Sequence, residues 1–272
     1  MKPQVKPIKI SVIICAYNEE GYLGNTLTDL LKCPLAQEVI VVNDGSTDKT
    51  GEVIKSFGSQ IHAISYRKNR GKGYALVKGL QAAQGKIVVF FDAHMKNLKN
   101  IHLKKLTDPI IKGKTNFILA YPGSAVGKPG KFRMIADLTG QRSYLKQMLL
   151  PYLPHLKKSR YGVETFLNEI FKPKWGKVIK LPDLIHLYKP ELLAREDIIP
   201  AYIQEVLEIS KTKLEINIRH HRDLQKILNP KRIKTIKTLR EKAKEIKDKE
   251  VSDLIKTYVI PRVKKLTKTS DS

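Results

Sequence analysis

Asp92 and His94 are the residues whose types and spacing most directly suggest chemistry in this chain. They follow the apolar run KIVVFF at residues 86–91, whose length and composition predict a buried strand. Alternate side chains of an extended strand point to the same face, so both residues are expected on one side. A carboxylate oxygen and an imidazole nitrogen placed in this way can share a divalent cation.

Polar segments also follow three other predicted strands: Tyr17–Glu19, Asp44–Ser46 and Arg67–Lys72. Short apolar strands that alternate with amphipathic helices predict a mainly parallel sheet covered on both faces. Ligands bind outside the carboxyl ends of such strands, so all four polar clusters should meet at one edge. The strands are predicted at 8–15, 38–43, 61–66, 86–91 and about 116–121, and the helices at 20–32, 47–57, 73–84 and about 100–112.

Taken singly, these motifs have structural as well as functional interpretations. Gly71-Lys72-Gly73 opens a predicted helix and suits phosphate, but Leu76 and Tyr74 exclude a dinucleotide fingerprint and a P-loop. It is equally compatible with a helix-entry turn. Asp44 could accept hydrogen bonds from a ribose or base, or belong to a turn with Ser46 as the helix N-cap. The convergence of the clusters at one edge is what favours function.

The order of these segments resembles family 2 glycosyltransferases of the GT-A fold. It is similar to glucosyl-3-phosphoglycerate synthases and to dolichol- or polyprenyl-phosphate sugar transferases. The resemblance covers residues 8–121 well and about 140–190 more loosely. It rests on the segments AYNEE (16–20), VVNDGSTD (41–48), GKGYA (71–75) and AAQGKIVVFFDA (82–93).

This resemblance implies a Rossmann-like α/β domain that binds a nucleoside diphosphate sugar, by family frequency a UDP-sugar. It also implies Mn²⁺ or Mg²⁺ held against the diphosphate by an Asp-X-Asp motif, with Asp92 counted as catalytic. The implied nucleotide-sugar-binding residues are Ala16, Tyr17, Asn18, Glu19, Asp44, Gly71, Lys72, Asp92 and Ala93.

The chain departs from that motif at its third position, which is His94. This version resembles the Asp-X-His of polypeptide N-acetylgalactosaminyltransferases, where the histidine is a metal ligand. Imidazole favours Mn²⁺ over Mg²⁺. The expected metal ligands are Asp92, His94 and, third, His186, with His220-His221 in reserve; a loop or core histidine is an equally good interpretation of His186.

The second half carries the expected acceptor residues. Tyr161–Thr165 resembles the segment that opens the acceptor-side helix, so Glu164 is a candidate general base for an inverting reaction. In a retaining reaction it would position substrate, and its structural alternative is a charge that complements the helix dipole. Residues 139–142 resemble a small acceptor loop, in which Gly140 and Arg142 would contact the acceptor and Arg142 would bind its phosphate.

Composition sets the domain and partner expectations. With 272 residues, 42% of them apolar, the chain can bury a full core, and the absence of an apolar run of about 18 residues argues against a spanning helix. We expect a GT-A domain over 1–190, with a nucleotide-sugar half (1–121) and an acceptor half (122–190). A basic helical extension follows over 191–272. Residues 122–131 should form a loop, 141–150 and 161–171 helices, and 176–181 a strand.

The net charge of +25 favours anionic partners. The expected acceptor is a membrane lipid, a polyprenyl phosphate or a small phosphorylated acid. Two cysteines and no signal segment favour the cytoplasm. The basic C-terminal helix either packs on the domain or rests on the anionic inner face of the membrane. Two rivals are a non-catalytic nucleic-acid-binding protein, disfavoured by only 7% aromatic residues, and a degenerate transferase that only binds nucleotide sugar.

Overall fold

The structure is a computed structural model, and it divides into two compact units, Met1–His186 and Leu187–Ser272. The predicted boundary after residue 190 falls among residues 188–198, outside the described part of the chain. The described residues are 9–123, 139–159, 162–172, 176–187, 199–200, 202–204, 206–207, 228, 233, 235–246, 252, 255–261 and 263–264.

A seven-stranded sheet forms the centre of the first unit, in the order β3-β2-β1-β4-β7-β6-β8. Strands β1, β2, β3 and β4 run parallel, as do β6 and β8, whereas β7 is antiparallel to both its neighbours. The mainly parallel sheet flanked by helices confirms the predicted fold class. The strands are β1 Ile10–Ala16, β2 Glu38–Asp44, β3 His62–Tyr66, β4 Ile87–Asp92, β5 Met95–Lys96, β6 Phe117–Pro122, β7 Arg142–Leu145, β8 Lys177–Leu181 and β9 Ile185–His186.

Among the described residues of this unit, six helices lie between the strands or follow β7. Their apolar stripes explain their packing; in α1, for example, Leu23, Leu27 and Leu30 are all buried. The two-residue strands β5 and β9 pair with each other in a separate small ladder. The helices are α1 Leu23–Leu31, α2 Thr50–Ser56, α3 Lys72–Ala82, α4 Asn100–Ile111, α5 Leu153–Leu156 and α6 Val163–Ile170.

The alternation of side chains along the strands builds one apolar core on each face of the sheet. Val12 and Ile14 of β1 enter the core on one face. Ile13 enters the core on the opposite face. Because both faces are covered, the central strands read as unbroken apolar runs, which is why they are easy to predict from sequence.

The predicted helix at 141–150 is wrong. Residues Arg142–Leu145 form β7, and short 3-10 turns follow at Lys146–Met148 and Leu150–Tyr152. The segment fills the place between β4 and β6 and pairs with both. This non-local pairing overrides local helix propensity. Helix α6 and strand β8 confirm the predictions for 161–171 and 176–181, while most of the predicted loop at 122–131 lies outside the described residues.

The second unit contains helix α7, Ile236–Glu245, and a π-helical turn at Ile255–Val259. Thr235 caps α7 by accepting a hydrogen bond from the backbone N–H of Thr238. Leu239 and Ala243 are buried, whereas Lys237, Arg240 and Lys244 are exposed. Within the described residues, no helix has the length and apolarity needed to cross a membrane.

Candidate active site

The loops that follow β1 and β2 are joined by side chains. The Asn18 backbone has a φ of 54°, a left-handed conformation that asparagine tolerates. Its side-chain oxygen accepts the backbone N–H of Thr47 at 2.9 Å, and its own N–H donates to Ser46 Oγ at 3.0 Å. The Glu19 N–H donates to Thr50 Oγ1 at 2.7 Å. These bonds hold residues 17–22 and 45–49 together at one edge of the sheet.

Asp44 ties the next loop to the same edge. Its side chain is buried, with 3% exposed, and its two carboxylate oxygens accept the backbone N–H groups of Arg70 and Gly71 at 2.8 Å each. Gly71 is the N-cap of α3. Burial, together with Asp44, raises the pKa of Tyr66. Asp44 therefore has a clear structural task, in addition to the nucleotide contact predicted for it.

The prediction that Ser46 is the N-cap of α2 is wrong. The helix begins at Thr50 with Lys49 in the cap position. The backbone N–H of Ser46 instead donates to Asn43 Oδ1 at 3.0 Å, and the N–H of Thr50 donates to Asp48 Oδ1 at 3.0 Å. The turn after β2 is thus stabilised by two side chains before the helix starts.

Lys72 links two carboxylates from distant parts of the chain. Its Nζ lies 2.7 Å from Asp92 Oδ1 and 2.5 Å from Glu164 Oε1. Burial alone would lower the pKa of Lys72, but the two carboxylates outweigh it and raise that pKa. Burial also opposes the charged form of Asp92, which would raise the pKa of Asp92. Lys72 and His186 nevertheless hold the pKa of Asp92 well below its ordinary value. Lys72 and Asp92 are therefore charged together at neutral pH.

His94 and His186 face each other beside Asp92. Their Nε2 atoms are 3.1 Å apart, and His186 Nε2 lies 3.2 Å from Asp92 Oδ2. On its other side, His94 Nδ1 lies 3.1 and 3.2 Å from the two oxygens of Glu19. His186 reaches this position because β9 pairs with β5, with His186 opposite Met95. Burial lowers the pKa of His186.

Gln141 and Gly140 complete the surroundings of Asp92. Gln141 Nε2 donates to Asp92 Oδ2 at 2.8 Å, and Thr139 Oγ1 lies 2.6 Å from Gln141 Oε1. The backbone of Gly140 packs so closely on the Asp92 carboxylate that a Cβ atom at this position would overlap it. The structure therefore places Gly140 against the predicted metal ligand.

Arg142 is the predicted acceptor residue that the geometry contradicts. The residue is buried, with 1% of its surface exposed. Its Nε donates to Thr139 O at 2.6 Å and its Nη1 to Asn168 Oδ1 at 2.7 Å. These hydrogen bonds stabilise the start of β7. To reach an acceptor phosphate, the guanidinium would have to leave both partners.

The remaining predicted residues lie at the same edge with different surroundings. Ala16 and Ala93 are buried, and the Ala93 carbonyl accepts a hydrogen bond from Thr26 Oγ1 at 2.7 Å. Tyr17 is 38% exposed and presents an aromatic ring to solvent. Gln141 and Thr26 were missed because neither type alone signals a site. The reserve candidates His220 and His221 lie outside the described residues.

We define the carboxylate–histidine cluster as Asp92 and six residues around it. The cluster contains three carboxyl groups, two imidazoles and one amino group, and its formal charge of minus two, with the imidazoles counted as neutral, is one that a divalent cation would neutralise. One ligand atom from each of Asp92, His94 and His186 lies within 4.8 Å of the others. These residues could hold a metal ion, because two imidazoles and a carboxylate suit Mn²⁺ or a related ion. The members are Glu19, Lys72, Asp92, His94, Gln141, Glu164 and His186.

The chain is similar in sequence to several known proteins. A dolichyl-phosphate beta-glucosyltransferase of Dictyostelium discoideum is 28% identical over 164 residues, 55% of this chain and 48% of that protein. An uncharacterized protein of Methanocaldococcus jannaschii is 35% identical over 207 residues, 66% of this chain and 82% of that protein. The chain spans about half or less of the length of the first curated relatives that it matches.

Solved structures show the same fold. A glucosyl-3-phosphoglycerate synthase from Mycobacterium tuberculosis, in complex with Mn²⁺, uridine-diphosphate-glucose and phosphoglyceric acid, has a TM-score of 0.56 and 19% identity, covering 76% of this chain and 80% of that one. The family described as glycosyl transferase family 2 matches residues 11–169. Since that match takes in more than half of the chain, the chain belongs to glycosyl transferase family 2, and its fold is the GT-A fold of these solved structures.

Proposed function

We propose that this glycosyltransferase moves a sugar from a nucleoside diphosphate sugar, with UDP-sugar the favoured donor, to an acceptor hydroxyl or phosphate. The observation that carries the proposal is the meeting of Asp92, His94 and His186 at the carboxyl ends of the parallel strands. The likeness to a synthase in complex with Mn²⁺ and uridine-diphosphate-glucose supports it.

The proposed cation is Mn²⁺ or Mg²⁺, held by Asp92, His94 and His186. When bound, it supplies Lewis-acid stabilisation of the charge that develops on a leaving diphosphate. Lys72, at the N-terminus of α3, adds a positive charge in a place where helix termini favour phosphate. Tyr17, exposed directly after β1, offers a ring on which a nucleobase can stack.

Glu164 is the proposed acceptor-side group. Its carboxylate lies 2.5 Å from Lys72 Nζ, and Lys72 also contacts Asp92, one of the proposed cation ligands. A diphosphate that draws Lys72 toward itself would release this carboxylate. It would then serve as a general base if the reaction inverts the anomeric carbon, and as a positioning group if the reaction retains it.

The proposed acceptor carries a phosphate, either on a membrane lipid such as a polyprenyl phosphate or on a small acid. The relatives include both kinds: dolichyl-phosphate glucosyltransferases, and a glucosyl-3-phosphoglycerate synthase of Petrotoga mobilis that is 32% identical over 125 residues. For the lipid, the exposed basic side chains of α7 would support peripheral contact with an anionic membrane at the cytoplasmic face.

The test of the metal and nucleotide site is calorimetric titration of UDP in the presence and absence of Mn²⁺. We expect metal-dependent UDP binding by the wild type and a loss of roughly 100-fold or more in Asp92→Asn, because a ligand should matter at least as much as its hydrogen-bonded neighbours. Asp108→Asn is the matched control, because Asp108 forms only a surface pair with Lys112 at 3.7 Å. UDP binding that ignores both Mn²⁺ and Asp92→Asn would exclude the proposed site.

The test of catalysis is a donor-hydrolysis screen across nucleotide sugars, followed by transfer assays with polyprenyl phosphate in vesicles and with soluble phosphorylated acids. We expect one donor to be hydrolysed slowly and one acceptor class to accelerate its consumption. Metal-dependent UDP binding with no turnover of any donor would instead favour the degenerate, binding-only alternative.

A further inference from the structure

Glu19 makes a contact that its predicted role in nucleotide binding does not explain. Its side chain is largely buried, with 11% exposed, and its carboxylate faces the His94 ring. Both oxygens lie within 3.2 Å of His94 Nδ1. A carboxylate accepts hydrogen bonds, so the proton of a neutral His94 is held on Nδ1 and Nε2 is left with its lone pair.

The lone pair of His94 points to the place where the other candidate ligands converge. His94 Nε2 lies 3.1 Å from His186 Nε2, and the latter lies 3.2 Å from Asp92 Oδ2. Because His94 Nε2 carries no proton, the proton between the rings belongs to His186, which donates it toward both neighbours. His94 is therefore already in the tautomer that a cation needs, whereas His186 must first move its Nε2 proton.

We propose that Glu19 is a positioning residue of the metal site: it fixes the tautomer and the ring orientation of His94, and thereby favours Mn²⁺ and related ions over Mg²⁺. The inference rests on the proposed function, since it assumes the cation site at Asp92, His94 and His186. Carboxylates that hold the outer nitrogen of a ligating histidine raise its basicity as well as orienting it. Nitrogen ligation matters more to Mn²⁺ than to Mg²⁺, which prefers oxygen ligands.

The Glu19 side chain can be changed without removing the local backbone bonds. The Glu19 carbonyl accepts the N–H groups of Tyr22 and Leu23 at the start of α1, and its N–H donates to Thr50 Oγ1. Glu19→Ala and Glu19→Gln retain both. Glu20→Gln is the matched control, because the exposed Glu20 carboxylate accepts the N–H of Lys49 at 2.7 Å and belongs to the same loop.

Mn²⁺ alone and Mg²⁺ alone are titrated into the wild type and each variant, with free Mn²⁺ followed by its paramagnetic resonance signal. We expect Glu19→Ala to lower Mn²⁺ affinity about 10- to 100-fold, Glu19→Gln to lower it less, and Mg²⁺ affinity to change far less in both. Glu20→Gln should match the wild type. Mn²⁺ affinity in Glu19→Ala equal to that of Glu20→Gln would overturn the proposal.

A second readout works on the metal-free protein. Long-range proton–nitrogen spectra of the histidine rings, with His94 identified by its loss in His94→Gln, should show Nδ1 protonated in the wild type and a mixture of tautomers in Glu19→Ala. An unchanged His94 spectrum would overturn the inference about Glu19 even if Mn²⁺ and UDP bind. Failure of the wild type to bind Mn²⁺ with UDP would instead overturn the proposed function.

Discussion

Two regions of the first unit build the carboxylate–histidine cluster in different ways. In residues 9–123, Asp44 accepts two backbone N–H groups and Asn18 accepts one, so neighbouring loops hold each other. In residues 139–186, Glu164 and His186 contact charged side chains of the first region: Glu164 pairs with Lys72, and His186 contacts Asp92. In the first region, side chains thus bind backbone groups of the neighbouring loop. In the second region, the cluster residues bind side chains of the first region, while strands β7 and β9 hold the backbone in place.

This difference predicts a large stability effect in the first region. Asp44→Ala leaves the backbone N–H groups of Arg70 and Gly71 without their acceptor, and we expect a loss of about 3 kcal/mol in the free energy of unfolding. Urea denaturation measures it. Asp108→Ala, which removes a surface pair, should lose less than about 1 kcal/mol.

A smaller effect is expected in the second region. Glu164→Gln removes one of the two carboxylates on Lys72, but it keeps a side-chain oxygen that can accept a hydrogen bond and leaves Asp92 in place. We therefore expect the free energy of unfolding to fall by about 1 kcal/mol. The same urea measurement applies, with the exposed Glu169 of the same helix as the control, in the form Glu169→Gln. A loss larger than that of Asp44→Ala would reverse the comparison between the two regions.

The Lys72–Asp92 ion pair lies within the first region and contacts Glu164 and His186 of the second, so the pH dependence of stability tests it further. Burial opposes ionisation of Asp92, but Lys72 holds the pKa of Asp92 well below its ordinary value. Its contribution is therefore complete above about pH 4 and is lost as the pH falls through its folded-state pKa. The pKa of Lys72 is raised, so its contribution is complete below about pH 10 and is lost at higher pH.

We therefore expect the stability difference between wild type and Asp92→Asn to stay constant to within about 0.5 kcal/mol between pH 9 and pH 7. It should shrink below about pH 4. Urea denaturation at pH 9, 7 and 3 measures it, with Asp108→Asn as the control for charge loss at the surface. A difference that already closes between pH 9 and pH 7 would contradict an ionised Asp92 paired with an ionised Lys72.

The same contrast explains what the sequence could predict. The strands and helices up to residue 123 follow local patterns of apolar residues, and the structure confirms each of them within three residues of the expected bounds. Strand β7 was missed because Arg142–Leu145 pairs with β4 and β6, partners that no local pattern reveals. His186 reached the candidate list only through resemblance, since the two-residue pairing of β9 with β5 leaves no trace in the sequence.

Contacts between side chains were the hardest to foresee. The sequence placed Glu19, Lys72 and Asp92 at one edge, but it did not indicate that Glu19 faces His94 or that Lys72 bridges Asp92 and Glu164. These pairings depend on how the loops pack in three dimensions, which local sequence patterns do not reveal. For Arg142 the sequence suggested a contact that the structure does not offer: arginine suits phosphate, but this arginine is buried.

The close fit of Gly140 against Asp92 has a consequence for mutational scanning of this protein. A scan should find position 140 intolerant even of alanine, and such intolerance is commonly taken to mean that the backbone needs a glycine-only conformation. Gly140 does not have a left-handed backbone, so the added methyl group would instead act by displacing a carboxylate. Low fitness of substitutions at position 140 would therefore indicate a displaced Asp92 carboxylate and not a strained backbone.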